Sequence, residues 1–311
     1  MTAPWLVADI GGTNARFGLV TEPGGRPEKV AVLPVAGYPT LPDAVAAYLE
    51  RNAAGVRPEA ACLAMAAPVE GERYHLTNAH WAGSTRDLGI ARAYLLNDFA
   101  ALAAALPYLE EEDLVPLGGP APGHGVKAVL GPGTGLGVGG LVPVAGGWVG
   151  VPCEGGHVTV PVADARELEI VRVLQARGRG RVEAEDLLSG PGLVRLHQAL
   201  AEVNGVEAAE LSSAAIAECG DALCEETVEV FCAMLGSFAG NVALTLGARG
   251  GVYVGGGVLP RIVERVRASR FRERFETGPA EYLSAIATTL IVASQPALTG
   301  AAAWLNQEMS S

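Results

Sequence analysis

Twice in this chain an apolar strand runs into a turn of glycine and threonine and comes straight back as a second strand. Trp5–Ile10 leads into Gly11-Gly12-Thr13-Asn14 and returns as Ala15–Val20; Lys127–Leu130 leads into Gly131-Pro132-Gly133-Thr134-Gly135 and returns as Leu136–Val144. Apolar runs broken by glycine-rich turns read as β-hairpins. A glycine has no Cβ, so backbone N–H groups in such a turn can close around an anion. On either turn alone, an ordinary tight hairpin explains the residues as well as a phosphate cradle does. The echo between the two also raises an internal duplication, which so short a match leaves open.

The remaining pattern alternates. Strands are expected at Glu28–Val35, Ala60–Ala66 and Arg92–Leu96, with helices over Leu41–Asn52 and Phe99–Leu109. The Pro- and Gly-rich stretch Pro116–Gly125 reads as a linker into a second domain. Helices follow at Arg166–Arg177, Gly192–Val203, Ala208–Glu218 and Glu225–Leu246. A buried strand, Gly251–Val254, runs through Gly255-Gly256-Gly257 into a helix over Leu259–Ala268, and Thr288–Val292 and Ala297–Gln307 close the chain as strand and helix. This is an α/β protein with hairpins set into otherwise parallel sheets. Its 311 residues suffice for two modest domains or one large one.

Charge narrows the partners. The net charge is −12, from 34 acidic and 22 basic residues, and such a surface repels phosphate backbones and anionic lipid. Neither nucleic acid nor a membrane is therefore expected as a main partner. The apolar stretch from Val228 to Leu246 is interrupted by Glu229, Ser237, Asn241 and Thr245, and reads as a buried core helix. The five cysteines form no C-x-x-C pair, so neither a disulfide framework nor a structural zinc site is expected, and the reducing cytoplasm is the natural compartment. Met1-Thr2-Ala3-Pro4 shows neither a basic n-region nor an apolar h-region.

Two nucleotide motifs are excluded. The only lysines, Lys29 and Lys127, do not follow a glycine, so no G-x-x-x-x-G-K-[ST] loop exists. Gly131–Gly137 is spaced G-x-G-x-G-x-G and joins two strands, unlike the dinucleotide fingerprint that opens a helix. Phosphate here would be held by backbone donors and Mg²⁺. Asp9 ends the first strand, where a carboxylate can hold Mg²⁺ through water because that ion keeps much of its hydration shell. Asn97-Asp98 ends one strand and starts a helix. The pair can be simple capping residues, or a carboxylate at the strand end where α/β folds bind ligands. Glu154 and His157, three apart in Glu154-Gly155-Gly156-His157, lack further metal ligands nearby. They suit hydrogen bonds to a polyol, beside the plainer reading of a structural histidine. Glu185 precedes Ser189-Gly190-Pro191-Gly192, and a helix-surface carboxylate is its default reading.

Seven segments occur in order: LVADIGGTNARFGLV from Leu6, LTNAHW from Leu76, LLNDFAA from Leu95, GPGTGLG from Gly131, PCEGGH from Pro152, LLSGPGL from Leu187 and GVYVGGGVLPR from Gly251. Together they resemble the bacterial glucokinases of the hexokinase type, within the actin-like ATPase superfamily. The resemblance implies an actin-like (ribonuclease H-like) α/β fold with a cleft between two domains. The small domain is expected at 1–108 plus 297–311 and the large one at 109–296. It implies phosphorylation of D-glucose at the 6-hydroxyl by ATP with Mg²⁺.

Residue by residue, Asp98 matches the catalytic base, still ionised near the ordinary carboxylate pKa of about 3.9. Asn97, Asp98, Glu154, His157, Glu185 and Asn78 match the sugar ligands. Asp9 (to Mg²⁺ through water) and Gly11, Gly12, Thr13 and Asn14 match the first phosphate loop; Gly133, Thr134 and Gly135 match the second, and Gly256 and Gly257 the adenosine side. Cys153 stands where a small residue such as glycine is expected. His157 is followed by Val-Thr-Val-Pro-Val with no cysteine before Cys219, unlike the zinc-bearing branch of related repressors and kinases. A homodimer is the expected assembly. The rival readings are a kinase for mannose, fructose or an N-acetylhexosamine, and a non-catalytic sugar-sensing protein of the same fold. An actin-like ATPase or chaperone would leave the E-G-G-H and N-D-F segments unexplained.

Overall fold

The alternating pattern closes into two main sheets and a small two-stranded one, which a computed structural model describes over residues 4–67, 69, 71–76 and 79–310. Contacts divide the chain into two units, one of Met1–Leu109, Ala145–Gly150 and Ala293–Ser311, the other of Glu110–Val144 and Val151–Val292.

In the first unit the strands are β1 (Trp5–Ile10), β2 (Asn14–Val20), β3 (Glu28–Pro34), β4 (Ala60–Met65), β5 (Arg73–His75), β6 (Ala82–Ser84) and β7 (Arg92–Asn97). The main sheet has the order β3-β2-β1-β4-β7, and β5 and β6 form a separate hairpin. Strand β4, AACLAM, is buried along its whole length and β1 nearly so. Continuous apolar runs of this kind belong in parallel strands covered on both faces. The covers are helices. Helix Leu41–Asn52 starts at a capping box between Thr40 and Asp43 and buries Leu41, Ala44, Val45 and Tyr48 with Phe17 and Leu63. The C-terminal helix Pro296–Ser310 lays Leu298, Ala301 and Leu305 against Trp5, Val7, Ala60 and Cys62 on the opposite face. It also touches helix Asp98–Ala105 backbone to backbone: a Cβ on Gly300 would collide with the Ala101 carbonyl oxygen. Gln307 on this helix brackets Trp148, accepting from its N–H at 3.0 Å and donating to its carbonyl at 2.9 Å. That pair ties the hairpin tip Ala145–Gly150 into the unit.

The second sheet carries β8 (Leu114–Gly118), β9 (Lys127–Pro132), β10 (Leu136–Val144), β11 (Gly147–Pro152, of which Val151 and Pro152 belong to the second unit), β12 (Val252–Val254) and β13 (Thr288–Ile291), in the order β11-β10-β9-β12-β13-β8. Strand β9 pairs antiparallel with β10 across the glycine turn and parallel with β12, as β1 pairs with β2 and β4. The echo heard in the two hairpins thus extends to sheet topology. The core is built on helix Ala222–Leu246, capped by Asp221 and ended by Gly247 at φ 64°. This helix is long and apolar enough to cross a membrane, yet 67% of its most apolar window is buried. Its Phe231, Met234, Leu235 and Phe238 pack with Leu130, Leu196 and Phe271. The interruptions at Ser237 and Asn241 therefore mark a globular core helix.

Three local expectations change. Pro116–Gly118, read as linker, belong to β8, which pairs with β13 at the sheet edge. A proline is tolerated in such an edge strand. The helix expected over Ala208–Glu218 is only Ser213–Glu218, because the Ser212 hydroxyl accepts from Ala215 N–H and sets a later start. The helix expected over Leu259–Ala268 breaks into a 3₁₀ turn, Leu259–Arg261, and a helix, Val263–Ala268.

Candidate active site

In the first unit, parallel register aligns Ile10 with Met65 and Met65 with Asn97. The glycine turn after β1 and Asn97-Asp98 after β7 therefore leave the sheet at the same edge, the carboxyl ends where α/β proteins bind ligands. Gly11 N–H donates to the Asn14 carbonyl at 3.0 Å and closes the turn, and the Thr13 carbonyl accepts from Val35 N–H at 2.9 Å. Asp9 and Arg16 are cross-strand partners, and the Arg16 guanidinium donates to the Asp9 carboxylate at 3.1 Å. Burial pushes the Asp9 carboxyl up from its ordinary value while Arg16 pulls it back.

Asn97 does cap helix Asp98–Ala105: its side-chain oxygen accepts from Phe99 N–H at 2.9 Å, and so does an Asp98 oxygen at 2.9 Å. The capping reading is thus satisfied. Burial raises its pKa to about 6; the Phe99 N–H bond works against this and the nearby Asp9 charge adds to it. This corrects the expectation of an ordinary carboxylate. Desolvation at the sheet edge next to a like charge disfavours the ionised form. Asn78 lies outside the described residues.

In the second unit, Leu130 on β9 is in register with Val254 on β12, so two glycine loops leave the sheet side by side. They fit closely. A Cβ on Gly131 would stand 2.9 Å from the Gly255 carbonyl, and Gly256, at φ +93°, has the Pro132 carbonyl where a Cβ would go. Gly133 N–H donates to the Gly135 carbonyl at 2.8 Å, and the Gly133 carbonyl accepts from Gly190 N–H at 2.8 Å. Glu185 is not a free surface carboxylate. Its Oε2 accepts from Leu136 N–H at 2.8 Å, directly after the second turn, so it is drawn to the loop.

The glycines of Glu154-Gly155-Gly156-His157 are explained by the same strand. A Cβ on Gly155 would meet Val138 at 2.8 Å, and one on Gly156 would strike the Leu136 carbonyl. The turn is thereby pressed onto β10, with the exposed Glu154 and His157 at its ends. Cys153 is accommodated, its thiol donating to the Val138 carbonyl at 3.3 Å. The imidazole of His157 meets Glu183, which the sequence reading missed: His157 Nδ1 lies 2.7 Å from Glu183 Oε2. Arg181 donates to Glu183 Oε1 at 3.0 Å and also reaches the His157 carbonyl. The Glu183 hydrogen bond raises the His157 pKa, and the same bond lowers that of Glu183. An isolated bridge between Thr159 and Glu183, flanked by backbone hydrogen bonds from Val160 N–H to the Val182 carbonyl and from Ala184 N–H to the Val158 carbonyl, brings these segments together, and no local signal marks it. Elsewhere in this unit the Sγ atoms of Cys219 and Cys224 and a carboxylate oxygen of Asp221 lie within 4.8 Å of one another. There Asp221 caps its helix, accepting from Cys224 N–H at 2.8 Å and from the Cys219 thiol at 3.1 Å.

The two α/β units share a topology in which glycine turns leave the carboxyl ends of parallel strands, the edge at which such sheets bind ligands. A sequence profile of the glucokinase family matches residues 6–308. The glucokinase of Saccharophagus degradans is 43% identical over 319 residues, covering 98% of each chain. The crystal structure of a glucokinase from an Antarctic psychrotroph matches with a TM-score of 0.88 at 37% identity, over 98% of this chain and 99% of that one. A ROK family glucokinase from Streptomyces griseus, crystallised with glucose and AMPPNP, shares the fold at a TM-score of 0.65 and 21% identity, over 96% and 98% of the two chains. This chain belongs to the glucokinase family, and its fold is the actin-like α/β fold expected for it.

Proposed function

We propose that the chain carries out its family's ATP-dependent phosphorylation of glucose at the 6-hydroxyl, with Asp98 as the base, releasing glucose 6-phosphate and ADP. The observation that carries this reading is Asp98 itself, a carboxylate at the end of β7 with its pKa raised to about 6. Phosphoryl transfer passes through a loose transition state, so catalysis rests on positioning and charge. The Asp98 carboxylate orients the sugar hydroxyl and accepts its proton as the new O–P bond forms. A carboxylate of pKa about 6 accepts that proton more readily than an ordinary one while remaining mostly ionised at pH 7.

Asn97, Asn78, Glu154, His157 and Glu185 hydrogen-bond the sugar in this reading, the carboxylates as acceptors. The backbone N–H groups of Gly12, Thr13 and Asn14, and those of Thr134 and Gly135, bind ATP phosphates, while the N–H groups of Gly11 and Gly133 close their own turns, with Gly256 and Gly257 toward the adenosine. Asp9 offers half-buried oxygen donors of the kind a hard divalent cation takes. Mg²⁺ bound there through water would neutralise charge on the phosphates. The test is a panel of glucose, mannose, fructose and N-acetylglucosamine with ATP and Mg²⁺ in a coupled ADP-release assay. Glucose is expected to give the highest kcat/KM; a higher value for another hexose overturns the assignment of glucose.

A further inference from the structure

We propose that Glu183 is a positioning residue for the sugar: it holds the His157 ring with Nδ1–H on its own carboxylate, so that Nε2–H of the imidazolium is the donor offered to a sugar hydroxyl. The inference rests on the reading of His157 as a sugar ligand and names what makes it one.

The geometry holds both ends of the residue. Nδ1 meets Glu183 Oε2 at 2.7 Å, Arg181 occupies Glu183 Oε1 at 3.0 Å, and Arg181 also donates to the His157 carbonyl. The backbone beneath is fixed because Gly155 and Gly156 press against Val138 and Leu136 of β10. The ring thus presents Nε2 as its remaining polar atom.

The charged groups around the ring are Glu154 on its own turn, and Glu183, Glu185 and Arg181 from the segment that includes the short helix Ala184–Leu187. The β10 residues packed against its turn, Leu136 and Val138 beneath Gly156 and Gly155, carry no charge. Three carboxylates against one guanidinium favour the imidazolium. They also decide which partner a sugar needs. A carboxylate only accepts, so a hydroxyl that donates to Glu154 or Glu185 has its oxygen left to accept. The Nε2–H of His157 fills that role. When the imidazolium loses a proton, Glu183 keeps the one on Nδ1, and Nε2 is left with a lone pair and nothing to donate. Sugar binding should therefore weaken as pH rises through the His157 pKa, which the Glu183 bond has moved upward.

The experiment measures kcat and glucose KM across about pH 5.5 to 9 for the full chain and for Glu183→Gln. It is paired with ¹⁵N NMR of the histidine rings to read protonation and tautomer. KM is expected to rise on the alkaline side by about 10- to 100-fold, the effect of losing a hydrogen bond from a charged donor. Its inflection should match the NMR titration of His157, and in Glu183→Gln both should move together to lower pH. The effect should fall on KM more than on kcat. An inflection that does not move in Glu183→Gln overturns the proposal. So does a neutral His157 carrying its proton on Nε2 in the unmodified chain, a result that stands even if the variant fails to fold. His157→Ala separates the two layers. If it leaves glucose KM untouched, the sugar-ligand reading fails; if it raises KM while Glu183→Gln shifts nothing, only the role of Glu183 fails.

Discussion

Around Gly11 of the first hairpin the nearest atom to a built Cβ is the Asn14 carbonyl oxygen, at 3.5 Å, an ordinary contact. In the second, Gly131 would bring a Cβ within 2.9 Å of the Gly255 carbonyl, Gly135 would strike Glu185, and Gly256 combines a left-handed φ of +93° with a blocked Cβ position. The electrostatics run the other way. In the first unit, burial raises both Asp9 and Asp98, and they repel one another. In the second, Glu183 is pulled down by its histidine and arginine partners. Two turns of similar composition are thus kept for different reasons. In the second unit the protein's own packing demands glycine. In the first, packing leaves room at Gly11, and the strain lies in charges kept out of water.

That contrast is tested most severely at Asp98. Asp98→Asn keeps the shape and removes the charge, and turnover should fall by about 10²–10⁴. The same variant should melt at a higher temperature than the parent at pH 7. A carboxyl whose pKa is raised in the folded state favours folding below its unfolded pKa, and that contribution is lost as pH rises toward 6 and beyond. For the same reason, turnover of the parent should drop as pH falls through about 6, where the base becomes protonated. Turnover within a few-fold of the parent would remove Asp98 as the base, and a lower melting point would remove the strain.

Next in size is the pair Gly256→Ala and Gly11→Ala. Left-handed backbone costs an alanine about 1–2 kcal/mol, and the Pro132 carbonyl must move as well, so Gly256→Ala should lower the melting temperature by many degrees. Gly11→Ala should melt close to the parent and reveal itself in a raised KM for ATP. Thermal melts of both, with ATP kinetics for the second, read the difference directly; equal destabilisation would erase the contrast between the turns.

The smallest effect is expected from Gly135→Ala. The atom in the way is the tip of the Glu185 side chain, which can swing aside, so the fold should survive. The displaced carboxylate would leave Leu136 N–H, and glucose KM should rise by roughly tenfold, the cost of one hydrogen bond. A glucose KM unchanged in this variant would show that Glu185 serves the loop alone.

Much of this molecule follows from local pattern. The continuous apolar runs of Trp5–Ile10 and Ala60–Met65, the glycine turns and the Asn97 cap all depend on neighbours a few residues away, and sequence displays such neighbours. The order of the seven family segments likewise marked Asp98, Glu154, His157 and Glu185 as a set. Local pattern misled where a proline run could serve as either linker or edge strand, as at Pro116–Gly118, since only the presence of β13 decides between them.

What the tertiary structure alone decided is what depends on distance through space. Glu185 reaches Leu136 across 49 positions, and His157 meets Glu183 across 26, so neither pairing has a signature in spacing. The raised pKa of Asp98 is of the same kind, because a carboxylate's affinity for its proton depends on how much water and which charges surround it. Residue type names the group. Parallel register sets Asp98 at the edge beside Asp9, and burial there changes it from an ordinary carboxylate into one that titrates near 6.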